Sequence, residues 1–167
     1  MKKGCLIVAV CLCISLFAGC SGKSDPAPTK ALEESPEMVK SIVSQIESVV
    51  PIENARAIDD FSVENEMGIS LDDLTAYAGD VTNNQADCSF VFVALCKDGK
   101  AADVSKALEA YRQTMTSSLY LEFAAKVEQA KNARIVTSGN YVIMVISGVE
   151  GPSYDSVDQA ISAALNP

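Results

Sequence analysis

The chain has 167 residues, of which 13 are basic, 22 are acidic and none is histidine, so its formal net charge is −9. This length suits one ordinary domain with a single core. An acidic surface repels nucleic acid and anionic lipid headgroups, and a chain without histidine has no Ser-His or Cys-His nucleophile pair.

The first twenty residues have the layout of a bacterial lipoprotein signal. Lys2 and Lys3 precede an uncharged, largely apolar stretch that ends in an Ala-Gly-Cys sequence at Cys20. The lysines hold the start on the cytoplasmic side, and the small residues fit a signal peptidase. We interpret residues 1–19 as a cleaved signal peptide and Cys20 as the lipidated amino terminus. An uncleaved transmembrane anchor, which needs about 20 apolar residues, is the alternative interpretation.

Cleavage would place the protein on the extracytoplasmic face of the bacterial cell membrane. The 148 remaining residues keep 11 basic and 22 acidic side chains, a charge of −11, so attachment is expected through the lipid on Cys20 and not through a basic patch. One acyl chain binds a membrane only marginally, so a further chain or a neighbouring contact is expected. Residues 20–35 are rich in Ser, Gly, Lys and Pro and form a flexible tether with a reach of about 20 Å.

Residues 36–167 are predicted to form a single α+β domain that begins with an amphipathic helix. Ser35 is its N-cap and Pro36 its first residue. Pro51 ends the helical pattern. The apolar positions of this helix recur at helical spacing: Val39, Ile42, Val43, Ile46 and Val50.

Two short elements are predicted next. Residues 61–63 suit a short edge strand. A capping pattern at Ser70 then predicts a short helix through Leu74 and Tyr77 that ends near Gly79.

The strongest predicted strand covers residues 89–95, a continuous apolar run rich in Phe and Val that ends at an Asp-Gly turn. Cys88 and Cys96 flank it. An extended strand would separate them by about 26 Å, which is too far for a disulfide, so we expect two buried thiols on one face.

The remaining elements follow from periodicity. Two consecutive helices are predicted, one through Val104 and Met115 and one through Phe123 and Ala130. Residues 134–137 and 141–147 form a hairpin with a three-residue turn at residues 138–140, and a last helix runs to Leu165. The predicted fold is therefore α+β, with a small, mainly antiparallel sheet from residues 88–96, 134–137 and 140–147 and with helices packed against it.

Paired carboxylates are the candidates for chemistry. Enzymes without histidine use carboxylates for acid–base work, yet adjacent acids in loops are far more often caps and solvated charges. A calcium site would need an oxygen-rich loop with a central glycine, which is missing, and no cofactor or metal is expected. The acids weighed for these roles are Asp59 with Asp60, Glu64 with Glu66, and Asp72 with Asp73.

The predicted strand at residues 141–147 is apolar on both faces. Alternation places Tyr141 and Ile143 on one face and Val142 and Met144 on the other. Tyr141 beside the turn is either a packed side chain or a surface contact. The strand is therefore either covered on both sides or leaves an apolar face for docking a partner.

Four stretches resemble an uncharacterised lipoprotein family, the domain of unknown function 4358. The similarity runs from about Met38 to Leu165, and the Gly-Asn-Tyr-Val segment at residues 139–142 is its most characteristic part. The resemblance implies location and fold and carries over no catalytic residue. The stretches are residues 67–69, 77–79, 90–98 and 131–147.

The sequence therefore predicts a membrane-anchored extracytoplasmic lipoprotein that serves as a non-catalytic binding or accessory module of the cell envelope. Its partners would be the membrane, through the lipid on Cys20, and an envelope protein. The alternatives are a carboxylate-dependent cell-envelope hydrolase and a small solute-receptor lipoprotein.

Overall fold

The computed structural model describes residues 32–117 and 124–167. The strands form one open antiparallel sheet in the order β1-β2-β3-β5-β4, so the predicted α+β class is confirmed, with two strands more than predicted. In chain order the elements are α1 Pro36–Glu47, β1 Ala55–Ala57, a π-helical turn Ser62–Glu66, a 3-10 turn Leu71–Asp73, β2 Leu74–Thr82, β3 Phe90–Cys96, α2 Ala101–Met115, α3 Ala124–Lys131, β4 Arg134–Ser138, β5 Tyr141–Ile146 and α4 Tyr154–Leu165.

Helices cover both faces of the sheet. Every residue of β3 and β5 is buried. One face of these strands, with Tyr141 and Ile143, packs in a core cluster with α1 and α4. The other face, with Phe92 and Met144, packs in a cluster with α2 and the π-helical turn. Of the two interpretations left open for residues 141–147, cover on both sides is therefore confirmed.

Local sequence signals set several element ends. The Ser35 hydroxyl accepts the backbone N–H of Met38 at 3.2 Å, as predicted for an N-cap. The hairpin turn is shorter than predicted, because Ser138 pairs with Tyr141 and leaves a two-residue turn. Gly139 in this turn has a φ of +58°, a conformation that glycine adopts without strain.

The helix predicted for residues 70–79 is wrong. Ser70 makes no side-chain cap, and one 3-10 turn is followed at Leu74 by the nine-residue strand β2. β2 pairs with β3 along most of its length, and Gly79 lets the backbone of Val91 approach closely. Pairing with an already buried central strand outweighs the weak local preference for helix.

The edge strand predicted for residues 61–63 is also wrong. The Asp59 carboxylate accepts the backbone N–H of Ser62 at 2.9 Å, and this contact starts the π-helical turn Ser62–Glu66. The edge strand beside β2 is instead β1, which has only three residues and no apolar alternation to reveal it; β4 forms the other edge.

The predicted signal peptide, Cys20, residues 21–31 of the predicted tether and Phe123 lie outside the described residues. Residues 32–35, the last part of that tether, contact the domain. Within residues 32–117 and 124–167, none of the helices has both the length and the apolar character that crossing a bilayer requires.

Candidate functional site

The first residues that the structure describes lie against the domain at one end of the sheet, beside the turn between β4 and β5. The Tyr141 hydroxyl donates a hydrogen bond to the backbone carbonyl of Glu33. The Asn140 side-chain amide lies 3.2 Å from the Glu34 carboxylate. We call this part of the surface, formed by Glu33, Glu34, Asn140 and Tyr141, the entry end. Tyr141 is thus a buried packing residue that also holds the incoming chain, and not a free surface contact.

Two neighbouring hollows lie at the opposite end of the sheet, about 20 Å away along the seven-residue strand β3. Their volumes are about 300 and 350 Å³, and Asn84 and Asp87 line both of them. We call the two hollows together the distal site. The first is lined by residues 81–85, 87 and 88 with Met115, Lys126 and Ala130, and the second by residues 51, 53, 84, 86, 87 and 148–151.

Asp87 joins the two loops that build the distal site. Its carboxylate accepts the backbone N–H of Val149 at 2.7 Å and the hydroxyl of Ser89 at 2.8 Å. Burial alone would raise the pKa of Asp87, but these hydrogen bonds and those from the backbone of Cys88 and Ser89 outweigh it and lower the pKa. Gly148 lies against this carboxylate, and an added Cβ would come within 3.0 Å of both carboxylate oxygens. Asp87 therefore fixes the shape of the site, since its oxygens are already bonded.

Amide side chains supply the polar groups of the first hollow. The Asn84 Oδ1 accepts the N–H of Ala86, and its Nδ2 makes no hydrogen bond to residues 32–117 or 124–167. Within the described part of the chain, the side chains of Asn83 and Gln85 also make no hydrogen bond, and all three residues are exposed. The backbone carbonyl of Gln85 accepts a hydrogen bond from Lys126 at 2.8 Å, which ties this loop to α3.

The floor of the first hollow is apolar and includes the thiol of Cys88. This thiol is half-buried and donates to the carbonyl of Lys126 at 3.7 Å. Burial, with the charge of Asp87, raises the pKa of Cys88 to about 11. Val81, Met115 and Ala130 line the hollow beside it. Such a thiol is a packing group and a poor nucleophile at neutral pH.

Cys96 is buried at the other end of β3, in the same core cluster that Cys88 packs against. The two thiols therefore share a face, as predicted, and both are free, although Cys88 is only half-buried. Among the described residues, no three cysteine, aspartate or glutamate side chains are grouped so that they could hold a metal ion.

Four of the six carboxylates weighed from the sequence hold a turn, a tyrosine hydroxyl or an ion pair, and the other two are exposed. Asp59 caps the π-helical turn, and Asp60 accepts the hydroxyl of Tyr77. Asp73 pairs with Lys100 at 2.9 Å. Glu64 and Asp72 are exposed, and Glu66 pairs with Arg56 at 3.7 Å.

A carboxyl pair that the sequence analysis missed lies between α1 and β2. Glu47 lies in a cleft of about 490 Å³ together with Lys40, Tyr77 and Asp80. Burial, the negative charge of Asp80 and a hydrogen bond to Asp80 raise the pKa of Glu47 to about 7. The Oε1 atom of Glu47 is buried and has no hydrogen-bond partner among the residues that the structure describes. Glu47 and Asp80 are 33 positions apart, so no local pattern could have predicted their contact.

The distal site was also missed, although one signal was present. The polar run Asn-Asn-Gln-Ala-Asp at residues 83–87 follows an apolar segment and precedes the central strand, which marks it as a loop. Nothing local indicates that residues 148–151 close against it.

A family model described as a domain of unknown function, DUF4358, matches residues 48–147. No curated protein and no solved structure matches the chain. The matched range contains β1 to β5 and the loop at residues 83–87, while α1 and α4 lie outside it.

Proposed function

Because the chain belongs to the family of the domain of unknown function DUF4358, which brings no assigned activity, we propose its function from its own residues: a lipid-anchored, extracytoplasmic binding module of the cell envelope. The anchor part of this proposal rests on the sequence of residues 1–20, with two lysines, an apolar stretch and Cys20. The lipid on Cys20 would hold the domain at the membrane through the tether.

The observation that best supports a binding role is the opposite placement of the entry end and the distal site. Glu33 and Glu34 reach the domain at the turn between β4 and β5. Asp87 and Val149 meet at the other end of the same strands. A tether that runs from the membrane to the entry end would leave the distal site facing away from the membrane, where a partner could reach it.

Binding is favoured over catalysis because four of the six carboxylates weighed from the sequence have structural partners and the other two, Glu64 and Asp72, are exposed. Asp59 caps the π-helical turn, and Asp73 forms an ion pair with Lys100. Asp87, in the distal site, connects two loops through its bonded oxygens. A site built from hydrogen-bonded loops and unbonded amides suits recognition of a ligand more than proton transfer.

The anchor is tested by producing the full chain in a bacterial host and analysing its amino-terminal peptide by mass spectrometry. We expect a peptide that begins at Cys20 and carries a diacylglyceryl group, with the protein in the membrane fraction and open to external protease. Cys20→Ala should accumulate as an unprocessed chain, whereas the matched change Cys11→Ala within the leader should not. An intact leader or an unmodified Cys20 in the native product would overturn the anchor.

A second candidate function is carboxylate-dependent hydrolysis, and the Glu47–Asp80 pair favours it. One carboxyl that is half-protonated near pH 7 beside a second carboxyl is an arrangement suited to acid–base work. Purified chain is incubated with cell-envelope polymer, and its soluble products are compared with those of Glu47→Gln and Asp80→Asn. Hydrolysis that both variants lose, and that Asp72→Asn keeps, would support this function; no release by the unaltered chain would reject it.

A further inference from the structure

We propose that the distal site binds an extended peptide segment that carries a Lys or Arg side chain. This inference rests on the proposed binding function and names the class of its ligand. Three features of the site support it: the shape of the two hollows, the unbonded amides in the first hollow and the acidic side chains around the second.

The shape favours an extended chain over a compact molecule. The two hollows have about 300 and 350 Å³ and share Asn84 and Asp87 as a common wall. Each hollow alone is at the lower limit of volume for a small-molecule site. A ligand that fills both must pass over the shared wall, as an extended peptide does when successive side chains enter separate pockets.

The first hollow offers groups that match a peptide backbone. A side-chain amide presents donors and an acceptor without net charge, and each peptide unit presents one N–H and one C=O. Asn83 and Gln85 have both amide groups available, and Asn84 has its Nδ2. The apolar floor at Val81 and Met115 suits an aliphatic side chain of the same segment.

The second hollow provides negative charge. Glu53 and Glu150 line it, and both are exposed. The first hollow carries instead the Lys126 ammonium group, which donates to the Gln85 carbonyl. A cationic side chain is therefore drawn to the second hollow, where two carboxylates lie without a lysine in the lining. The net charge of −9 adds a long-range attraction for a basic segment.

Hydrogen bonds hold the loops of the site together without a ligand. Asp87 ties the two loops through Val149 and Ser89, and the Thr82 hydroxyl donates to the Glu53 carbonyl at 2.8 Å. Loops that are already ordered lose little conformational freedom on binding, so a few hydrogen bonds and one charge contact are enough for measurable affinity.

Fluorescence anisotropy of the full lipidated chain in detergent, titrated against labelled peptides, tests this inference. The probes are eight-residue peptides with one Leu and one Lys at varied spacing, and each has a partner in which norleucine replaces Lys. We expect saturable binding at one preferred spacing, and at least about tenfold weaker binding for the norleucine partner because it lacks the charge.

Variants assign the binding to the distal site. Asn83→Ala combined with Gln85→Ala should weaken binding by about tenfold, because hydrogen bonds are lost. Glu53→Gln combined with Glu150→Gln should weaken only the Lys peptides. The matched controls are Gln159→Ala, an exposed amide on α4, and Glu64→Gln, an exposed acid on the π-helical turn. Circular dichroism confirms that each variant is folded.

A second readout uses the thiol in the floor of the first hollow. Bound peptide should slow alkylation of Cys88 at least threefold, and alkylation of buried Cys96 should not change. The inference is overturned if no peptide of the set saturates, if both double variants bind as the parent does, or if Cys88 is not protected. These measurements do not depend on the outcome of the mass spectrometry of Cys20. Failure of the peptide-binding inference is therefore distinguished from failure of the proposed lipid anchor.

Discussion

The Asp87 carboxylate accepts the backbone N–H of Val149 at 2.7 Å, although 62 positions separate the two residues in the chain. This bond connects the loop between β2 and β3 to the loop between β5 and α4. A second oxygen of the same carboxylate accepts the Ser89 hydroxyl at 2.8 Å. One half-buried acid therefore holds the end of the sheet where the distal site lies.

We expect Asp87→Ala to lower the free energy of unfolding by about 2–3 kcal/mol, because hydrogen bonds to a charged group are lost and the N–H of Val149 is left without its acceptor. Asp87→Asn should cost less, since its amide oxygen still accepts one bond. Urea unfolding at pH 7 measures both values. Asp72→Ala, at an exposed acid, is the control, and an Asp87→Ala variant as stable as this control would contradict the assigned role.

Glu47 should make the free energy of unfolding depend on pH between pH 5 and pH 8. Its pKa is raised in the folded state to about 7, so the folded state holds the proton more tightly than the unfolded state does. Its favourable contribution is complete below the unfolded pKa of about 4.3 and is lost as pH rises through about 7. The free energy of unfolding should therefore fall by about 1–2 kcal/mol between pH 5 and pH 8, after allowance for solvent screening.

Glu47→Gln should abolish this slope and be the more stable protein at pH 8. Urea unfolding at pH 5, 6.5 and 8 provides the measurement, with Glu53→Gln as the control that keeps the slope. Equal slopes for the parent and Glu47→Gln would show that Glu47 does not titrate in this range.

Gly79 in β2 should not tolerate a side chain. A Cβ built at this position would lie 2.1 Å from the backbone carbonyl oxygen of Val91 in β3, and backbone cannot move aside as a flexible side chain can. We expect Gly79→Ala to cost about 3 kcal/mol or more. Gly99→Ala is the comparison: its φ of +78° is unfavourable for alanine, but nothing lies within 4 Å, so about 1–2 kcal/mol is expected. Thermal unfolding that ranks Gly99→Ala as the more damaging change would contradict this account.

The two described cysteines should react slowly and in a fixed order. Burial raises the pKa of both Cys88 and Cys96 to about 11, so at pH 7.5 the thiolate population is about 100-fold smaller than in an ordinary cysteine. Cys88 is half-buried and Cys96 is 2% exposed, so Cys88 should be alkylated first. Site-resolved mass spectrometry during iodoacetamide treatment follows the order, and modification of Cys96 ahead of Cys88 would be inconsistent with the fold.

The sequence predicted those secondary-structure elements whose signal lies within a few neighbouring residues. Ser35 and Gly139 have roles that a short window of sequence reveals, and they indicated the start of α1 and the β4–β5 hairpin. The apolar spacing of the last helix predicted α4. β2 was mistaken for a helix because a capping pattern precedes it, whereas its strand conformation comes from pairing with β3.

The sites escaped prediction for the same reason. Asp87 meets Val149, and Glu47 meets Asp80, only after the sheet has assembled. The acids that were weighed, such as Asp59 and Asp60, are neighbours in sequence, and in the folded chain they serve the turn in which they lie.

The hydrogen bond from the Tyr141 hydroxyl to the Glu33 carbonyl has a mechanical consequence. Tyr141 belongs to β5 and lies opposite Leu95 in the central strand β3. A force applied along the amino-terminal chain would load this hydrogen bond, whose side chain belongs to an inner strand and not to an edge strand. If the domain is tethered through Cys20, this contact and the packing of Leu32 and α1 on the sheet would together resist detachment of residues 32–35 when the tether is stretched.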